Sequence, residues 1–338
     1  MPQRSLGIPL LPKTPDISLD AAGLVALADL TTIQRRTVLT GTTSLLDALI
    51  LCPGMHMQQS STNLNGGEYP ACGALTTGFV FRVENPGTVY YLQQISKTGH
   101  LTNLTVSKID RSDDKSPWYA KAASFSFPPN TSYLPALAYG TAVLWNLAVI
   151  LLMGFSHDWW GLAVVLILVA SRLCNVIVIR RRAKQGWSGA PEPGVQGDLL
   201  VLLSQDRWVR IKGEVDHLKA VTSGQWLRDQ NMVESWATAL ATFVVYLAAA
   251  LVSNATQFGK ILVLVLLGGS VGFLAVANSL TKFLMMHDYI IKPTGESRKY
   301  ARRLDLANEL VRETGREDWA VRMGMISGKT CEQEPVVM

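Results

Sequence analysis

The sequence of 338 residues has few charged side chains and few cysteines. Asp, Glu, Lys and Arg make up 17% of the chain, against about 25% in an average soluble protein. The four cysteines, Cys52, Cys72, Cys174 and Cys331, show no Cys-x-x-Cys spacing, which argues against a structural zinc site or a redox motif. The sequence also lacks a basic stripe with interleaved aromatic residues, so we expect no nucleic-acid partner.

Motifs of catalysis are missing as well. The sequence contains no Gly-x-Ser-x-Gly or His-Glu-x-x-His pattern, and "GGSVG" lies in an apolar run without the lysine of a phosphate-binding loop. Three Asp/His neighbours occur: His157-Asp158, Asp216-His217 and His287-Asp288. Adjacent side chains on a helix point in different directions, and no further ligands follow at metal-binding spacing. The sequence therefore predicts neither a metal nor a cofactor and disfavours an enzyme.

Long apolar runs are abundant instead. A helix needs about 20 apolar residues to cross the ~30 Å hydrocarbon layer. Four stretches approach that length without containing Asp or Glu: Leu134–Gly154, Gly161–Ile179, Trp236–Ser253 and Ile261–Met286. A long helix in a soluble core would normally show a polar face at a 3.6-residue period, and these runs are apolar all round. They predict four transmembrane helices in two hairpins, joined by the short turns "FSHDWW" and "NATQFGK".

The predicted fold is therefore a membrane α-helical protein with a mixed α+β extramembrane N-terminal region. The predicted boundaries are residues 1–133 for that region, 134–179 for the first hairpin, 180–235 for a basic loop with a β-hairpin and a short helix, 236–286 for the second hairpin, and 287–338 for a cytoplasmic tail with an amphipathic helix and a disordered end. Each of the three extramembrane segments offers an incomplete apolar surface. We expect them to pack into one membrane-proximal body.

Local patterns predict the elements of that body. A helix is expected from Thr14-Pro15 to Leu30, and Ser44 and Asp47 fit a capping box. The stretches "GFVFRV", "TVYYLQQI", "LTNLTVSKI" and "ASFSF", with a turn at Asn85-Pro86-Gly87, predict a small antiparallel sheet. "DLLVLL" and "WVRIK" predict a hairpin, and "EVDHLKAVTSGQWL" predicts a short helix.

The tail contains one further predicted helix. Tyr300, Leu304, Ala307 and Val311 share one helical face, and Gly315 is a natural stop.

The distribution of positive charge predicts the orientation in the membrane. Arg180, Arg181 and Arg182 end the second apolar run, and the loop up to Ser235 and the tail from His287 each hold nine Lys or Arg residues. Cytoplasmic flanks collect such residues. We expect both termini and the central loop in the cytoplasm, with the protein in the plasma membrane or an endomembrane. The N-terminus shows no pattern of a cleavable signal peptide.

Three glycosylation sequons complicate this orientation. Asn103 and Asn130 lie in the N-terminal region and Asn254 in the second turn, so the three cannot all face one side. If the N-terminal region were lumenal, the first two could carry glycans and Cys52 could form a disulfide with Cys72. Sequons also occur by chance in cytoplasmic proteins, whereas arginines at a helix end have a direct electrostatic reason. We therefore follow the charges.

The candidate ligand site lies inside the first hairpin. Arg172 is within an apolar run, where a charge costs about 2.5–3.5 kcal/mol on insertion scales. Asn146 lies at comparable depth, and Asn175 is one turn along the same face. The three form a polar cluster that either binds an anionic ligand or lipid headgroup, or joins the helices while Arg172 snorkels.

Small side chains mark the fourth apolar run. Gly268 and Gly272 are four residues apart, as are Ala275 and Ser279, and such spacing lets two helices approach closely. This face predicts helix packing and offers a route to a homo-oligomer.

The chain also resembles a family of uncharacterised multi-pass membrane proteins of filamentous fungi. The stretches that carry the resemblance are "TSLLDALILCPG", "ACGALTTGFVF", "ISKTGHLTNLTVSKID", "GDLLVLLSQDRWVRIKG", "LKAVTSGQWLRD", "VSNATQFGK" and "KYARRLDLANELVRETGREDW", which span most of residues 40–325. The resemblance implies an integral membrane protein and brings no activity, substrate or catalytic residue. A role accessory to a fungal secondary-metabolite pathway stays open.

Three functions follow as hypotheses. The first is a non-enzymatic scaffold or adaptor whose cytoplasmic body binds other proteins, which suits the large extramembrane fraction and the missing motifs. The second is an oligomeric transporter or channel, although intramembrane carboxylates are lacking. The third is a membrane enzyme acting on a lipophilic substrate. The lipid bilayer is a partner in all three.

Overall fold

The structure, a computed structural model, describes residues 20–109 and 133–327. Asn130, Cys331, the predicted helix start at Thr14, the predicted strand "ASFSF" and the predicted disordered end lie outside these residues. The α-helices described are α1 Thr32–Thr40, α2 Pro86–Ile95, α3 Leu134–Phe155, α4 Trp159–Arg182, α5 Val215–Thr222, α6 Met232–Leu251, α7 Gln257–Leu280, α8 Arg303–Thr314 and α9 Asp318–Arg322. The strands are β1 Ala71–Ala74, β2 Val80–Arg82, β3 His100–Lys108, β4 Gln196–Leu203, β5 Arg207–Glu214, β6 Leu284–Met286, β7 Tyr289–Pro293 and β8 Arg298–Lys299. Short 3-10 helices are η1 Asp20–Leu27, η2 Leu45–Leu49, η3 Met55–Asn65 and η4 Val252–Asn254.

Four helices, α3, α4, α6 and α7, are long and apolar enough to cross a membrane. At most half of the most apolar stretch of each is buried inside the protein. Large side chains such as Leu144 and Phe243 point outward and are 68% and 62% exposed. Large apolar side chains exposed in this way are unfavourable in water and are compatible with a surrounding of lipid tails.

The predicted extension of the fourth apolar run to Met286 is wrong. α7 ends at Leu280, and Leu284–Met286 form β6, which pairs with β7. The two strands are joined by His287 and Asp288, both with positive φ (47° and 67°). A two-residue turn of this type matches the twist of a β-hairpin, so the chain turns back into a sheet although its side chains stay apolar.

The four long helices do not pack chiefly within their own hairpins. α3 packs most closely against α7, and α4 against α6. At the α3–α7 contact, Trp145 Nε1 donates to the Val265 carbonyl at 3.3 Å. A Cβ on Gly269 would lie 2.3 Å from that same nitrogen, so glycine is required at this position.

Residues 20–65 pack against these helices. η1 contacts both α6 and α7, while η2 and η3 lie against α4. The approach is closest at Gly23, where an added Cβ would stand 1.9 Å from the Ala249 carbonyl oxygen. Residues 20–65 therefore pack with the helical body, although the predicted boundary at residue 133 groups them with the extramembrane N-terminal region.

One sheet unites three segments of the chain. The strand order is β2-β1-β4-β5-β3-β7-β6, and β8 also pairs with β3. β1 to β3 precede the long helices, β4 and β5 lie between the two hairpins, and β6 to β8 follow the last long helix. The expected joining of the three segments is confirmed. The expectation of an antiparallel sheet is corrected, because β3 runs parallel to β5.

Several predicted elements of the sheet region are confirmed and one is wrong. "DLLVLL" and "WVRIK" form the β4–β5 hairpin, and "EVDHLKAVTSGQWL" contains α5. "TVYYLQQI", predicted as a strand, lies in α2. Asn85 caps this helix by accepting from the Thr88 amide at 3.1 Å, and Pro86 occupies the first turn. Asn-Pro-Gly is thus a helix start here, although the same residues are typical of a turn.

The sheet is covered on both faces. Alternate residues of β4 and β5, such as Val201 and Val209, join a hydrophobic cluster with α2 and α5. Leu200 and Trp208 point the other way, into a cluster with α8 and α9. The buried residues of α8 are Leu306, Ala307 and Leu310. The predicted face is confirmed at Ala307 and in part at Tyr300 and Val311, which are half-buried against the same cluster, whereas Leu304 is exposed. Gly315 ends the helix in the left-handed conformation, as predicted.

Candidate functional site

Each of the three polar residues predicted inside the first hairpin is buried, with a relative exposure of 0% for Asn146, 3% for Arg172 and 0% for Asn175. They hydrogen-bond to the N-terminal segment. Asn146 Oδ1 accepts from the Leu51 amide at 3.1 Å, and its Nδ2 donates to Ser270 Oγ at 2.7 Å. Asn175 Oδ1 accepts from Gln59 Nε2 at 3.1 Å.

Arg172 also bonds to the N-terminal segment. Its Nε donates to the Asp47 carbonyl at 3.3 Å, and its Nη1 donates to Gln58 Oε1. These contacts fix η2 and η3 against α4. The role that fits them is joining of elements, which was the alternative to ligand binding.

Asp47 was predicted only as part of a capping box, and the sequence did not reveal its contacts with α3 and α4. Its carboxylate is buried and accepts from the Tyr139 hydroxyl and the Ser44 amide, each at 2.7 Å. The latter bond is part of the predicted capping box, which is confirmed, although the element that it starts is the short 3-10 helix η2. Arg36 lies with its guanidinium 5.0 Å from the centre of the Tyr139 ring. We call Arg36, Asp47, Gln58, Tyr139 and Arg172 the buried polar cluster.

The small residues of α7 do not pack against another part of the described chain as predicted. Gly268, Gly272, Ala275 and Ser279 are all exposed. Among the described residues, nothing lies within 4 Å of a Cβ added at Gly268 or Gly272. They form an open, shallow strip along the outside of the helix.

The two glycosylation sequons in the described residues, at Asn103 and Asn254, lie in different kinds of structure. Asn103 is in the middle of β3, between β5 and β7, which is unlike the surface loops where glycosylation occurs. Asn254 lies in η4, at the turn between α6 and α7.

Cys52 and Cys72 are free and buried in different hydrophobic clusters, so the structure does not pair them. Burial raises the pKa of the Cys52 thiol to about 12.

The Asp/His neighbours have structural contacts. Asp158 is 3% exposed and caps α4 by accepting from the Gly161 amide at 3.0 Å. Its second oxygen accepts from the Thr256 hydroxyl at 2.6 Å, which ties the two turns of the helical body together. Asp216 accepts from the Glu192 amide at 2.7 Å. In the parts of the chain that the structure covers, no three His, Cys, Asp or Glu side chains are grouped to hold a metal ion.

An ion network holds the tail on the sheet. Arg210 of β5 is 7% exposed and binds Asp198 of β4 and Glu313 of α8 at 2.6 and 2.7 Å. The hydrogen bond from Arg210 lowers the pKa of Glu313 despite the opposing effect of burial.

Several cavities lie outside the buried polar cluster, and two of them bear on function. The first, of about 370 Å³, is at the sheet end of α7 and is lined by Arg35, Tyr90, Ser279 and Lys282, among others. We call it the α7 cavity. The second, of about 350 Å³, lies between α5 and the β1–β2 side of the sheet. We call it the apolar groove, because Phe79, Phe81, Val195, Leu199 and Leu218 form much of its wall.

A comparison with models of protein families finds no match, and searches among curated proteins and among solved structures find none either.

Proposed function

We propose that this chain is a four-span integral membrane protein that acts as a non-enzymatic scaffold, with the apolar groove of its sheet domain as the docking surface for a partner protein. The four long helices, with their outward apolar side chains, support the membrane placement. The basic end of α4 supports an orientation with the sheet domain in the cytoplasm.

The apolar groove carries the scaffold proposal. Phe79 is 61% exposed and its ring stacks on Phe81 with centroids 6.0 Å apart. Val195, on the opposite side, is 48% exposed. Exposed aromatic residues in a concave apolar surface are typical of places where a partner's side chains are buried.

The neighbouring strand defines the kind of partner. β2 is at one end of the strand order, and among the described residues it pairs only with β1. An open strand edge next to apolar pockets binds extended peptides, which add a strand and insert alternate side chains. We therefore propose an extended segment with alternating apolar side chains as the occupant.

The contacts of the three polar residues predicted inside the first hairpin support a scaffold over a transporter or an enzyme. Asn146, Arg172 and Asn175 use their hydrogen-bonding groups on residues 47–59, which fill the space beside α3 and α4. The side chains that would bind a solute or a substrate headgroup at this depth are thus engaged within the protein.

Site-specific photo-crosslinking tests the docking surface. A benzophenone amino acid placed at position 79 of the full chain, expressed in its native membrane, should give a discrete adduct with a partner protein. The same adduct should be lost when Phe81→Ser is added, since this removes apolar contact area. The matched control places the photo-crosslinker at Leu304, which is 44% exposed on α8. An adduct formed equally from both positions, or one that persists in Phe81→Ser, would contradict docking in the groove.

Alkaline carbonate extraction tests the membrane placement separately. The full chain should stay in the pellet with the lipid, because four apolar helices are not released by loss of surface charge. Recovery of the chain in the soluble fraction would contradict the membrane placement whatever the outcome of the crosslinking.

A further inference from the structure

Several polar groups that line the α7 cavity have no partner among the described residues. Arg35 and Lys282 line it and are exposed, and neither forms an ion pair within residues 20–109 and 133–327. Tyr90 lines it as well and is 6% exposed, and its hydroxyl forms no hydrogen bond within those same residues. The hydroxyl is therefore available to donate a hydrogen bond to a ligand in the cavity.

Arg35, Tyr90 and Lys282 line the same cavity. Burial raises the pKa of the Tyr90 phenol, and the nearby Arg35 guanidinium opposes that shift. Lys282 follows directly on the end of α7, and the Asn278 and Thr281 side chains complete the floor. Two cations and a phenol around a cavity of about 370 Å³ suit an anion with several oxygen acceptors, such as a phosphate group.

The position of the cavity indicates the source of the phosphate. It lies where α7 ends and the sheet begins, the same end at which Arg180, Arg181 and Arg182 close α4. In the proposed membrane placement this is the level of the lipid headgroups, where basic pockets bind anionic lipids.

The exposed strip of α7 leads away from the cavity. Ala275 and Ser279 line the cavity itself, and Gly272 and Gly268 continue the same face toward the other end of the helix. Nothing in the described residues lies within 4 Å of a Cβ added at either glycine, so the strip is open to the outside. A helix face without side chains at these positions lets an acyl chain lie close along the backbone.

We propose that the α7 cavity binds the phosphate of an anionic phospholipid through Arg35, Lys282 and Tyr90, with an acyl chain along Gly272 and Gly268. This inference rests on the membrane placement proposed above. It is independent of the apolar groove, which lies on another part of the molecule.

Native mass spectrometry of the full, delipidated chain in detergent tests the proposal. Dioleoyl phosphatidylglycerol should bind as a defined adduct and dioleoyl phosphatidylcholine more weakly. Arg35→Gln combined with Lys282→Gln should weaken phosphatidylglycerol binding by about 30-fold, because each cation at a membrane surface contributes about five-fold. Tyr90→Phe should weaken it by about five-fold.

A control pair of charge substitutions and a variant in the exposed strip of α7 make the test specific. Arg181→Gln combined with Lys184→Gln removes the same charge beside α4 and should leave binding within about two-fold. Gly272→Leu should weaken phosphatidylglycerol binding without unfolding the chain, because the added side chain enters open space. Inorganic phosphate at millimolar concentration should not displace the lipid.

The outcomes are distinct. Equal losses in the two charge pairs would overturn the site and indicate a general electrostatic effect. Unchanged lipid binding in Gly272→Leu, together with displacement by inorganic phosphate, would overturn the lipid and leave a free anion as the ligand. Because binding is measured in detergent, it can fail while carbonate extraction still supports the membrane placement.

Discussion

At the scale of single residues, the buried charges of the helical body are matched by residues far away in sequence. Arg172 bonds to the Asp47 carbonyl and to Gln58, and Asp47 in turn accepts from Tyr139, which is 92 residues distant. A charge in an apolar environment is tolerated when it is paired and hydrogen-bonded. The buried polar cluster therefore fixes the N-terminal segment against α3 and α4.

Arg172→Leu is expected to destabilise the folded chain by about 3–5 kcal/mol, since removing one partner leaves the remaining buried groups uncompensated. The measurement is the thermal midpoint of the purified chain in detergent. Arg181→Leu is the matched control, because the Arg181 side chain is 65% exposed on the same helix. Equal midpoints for the two variants would show that Arg172 does not hold the segment.

The Arg210–Glu313 pair gives the tail a dependence on pH. Arg210 holds the pKa of Glu313 below its usual value of 4.5. The stability that this pair adds is present above that value and is lost as the pH falls through the lower pKa of the folded state. Glu313→Gln should therefore lower the thermal midpoint at pH 7 and have a smaller effect at pH 3. A difference that is the same at both pH values would rule out the carboxylate as its source.

At the scale of elements, the sequence predicted an element correctly where its residues are typical of only one kind of structure. The β4–β5 hairpin shows alternate apolar residues around a short turn, and Gly315 is an unambiguous helix stop. Asn85-Pro86 is typical both of a turn and of a helix start. Because it was interpreted as a turn, a strand was predicted where the structure has α2. The extension of α7 to Met286 failed for a related reason, since apolar residues suit both a spanning helix and a buried strand.

The contacts of the buried polar cluster could not be predicted from local sequence patterns. Arg172 stood out because it interrupts an apolar run. Its surroundings could not be predicted, because the contacts with Asp47 and Gln58 span more than 100 residues. The apolar stretch "ALILC" that follows Asp47 was the available signal that this segment is buried.

Close packing of η1 on α6 is testable at one glycine. In Gly23→Ala the new methyl group would overlap the Ala249 carbonyl, so η1 should move away from α6. We expect faster cleavage within residues 20–31 by a protease and a lower thermal midpoint. Gly140→Ala is the control, because it lies in α3 with open space around it and alanine favours a helix. Identical cleavage of the two variants would mean that η1 is held by other contacts.

At the scale of the whole molecule, the shared sheet constrains topology. Strands from before, between and after the two helix pairs are hydrogen-bonded together, so in the proposed membrane placement all three segments lie on one side. The turn that contains Asn254 is at the opposite end of α6 and α7.

Cysteine labelling in sealed vesicles measures this arrangement. In a Cys174→Ser, Cys331→Ser background, Ser253→Cys and Glu296→Cys should react with an impermeant maleimide from opposite sides, since both positions are exposed. Glu296→Cys and Lys108→Cys should react from the same side. Reaction of Ser253→Cys and Glu296→Cys from one side would be incompatible with the helices crossing the bilayer.

The order of the strands also affects how the protein is made. β3 leaves the ribosome long before β7 and β8, which pair with its outer edge and are synthesised last. An uncovered strand edge tends to pair with other chains. In the proposed membrane placement, the nascent protein must keep this edge away from other chains while its four long helices are inserted. A chain truncated after the fourth span would be anchored with its sheet incomplete, and degradation is its expected fate.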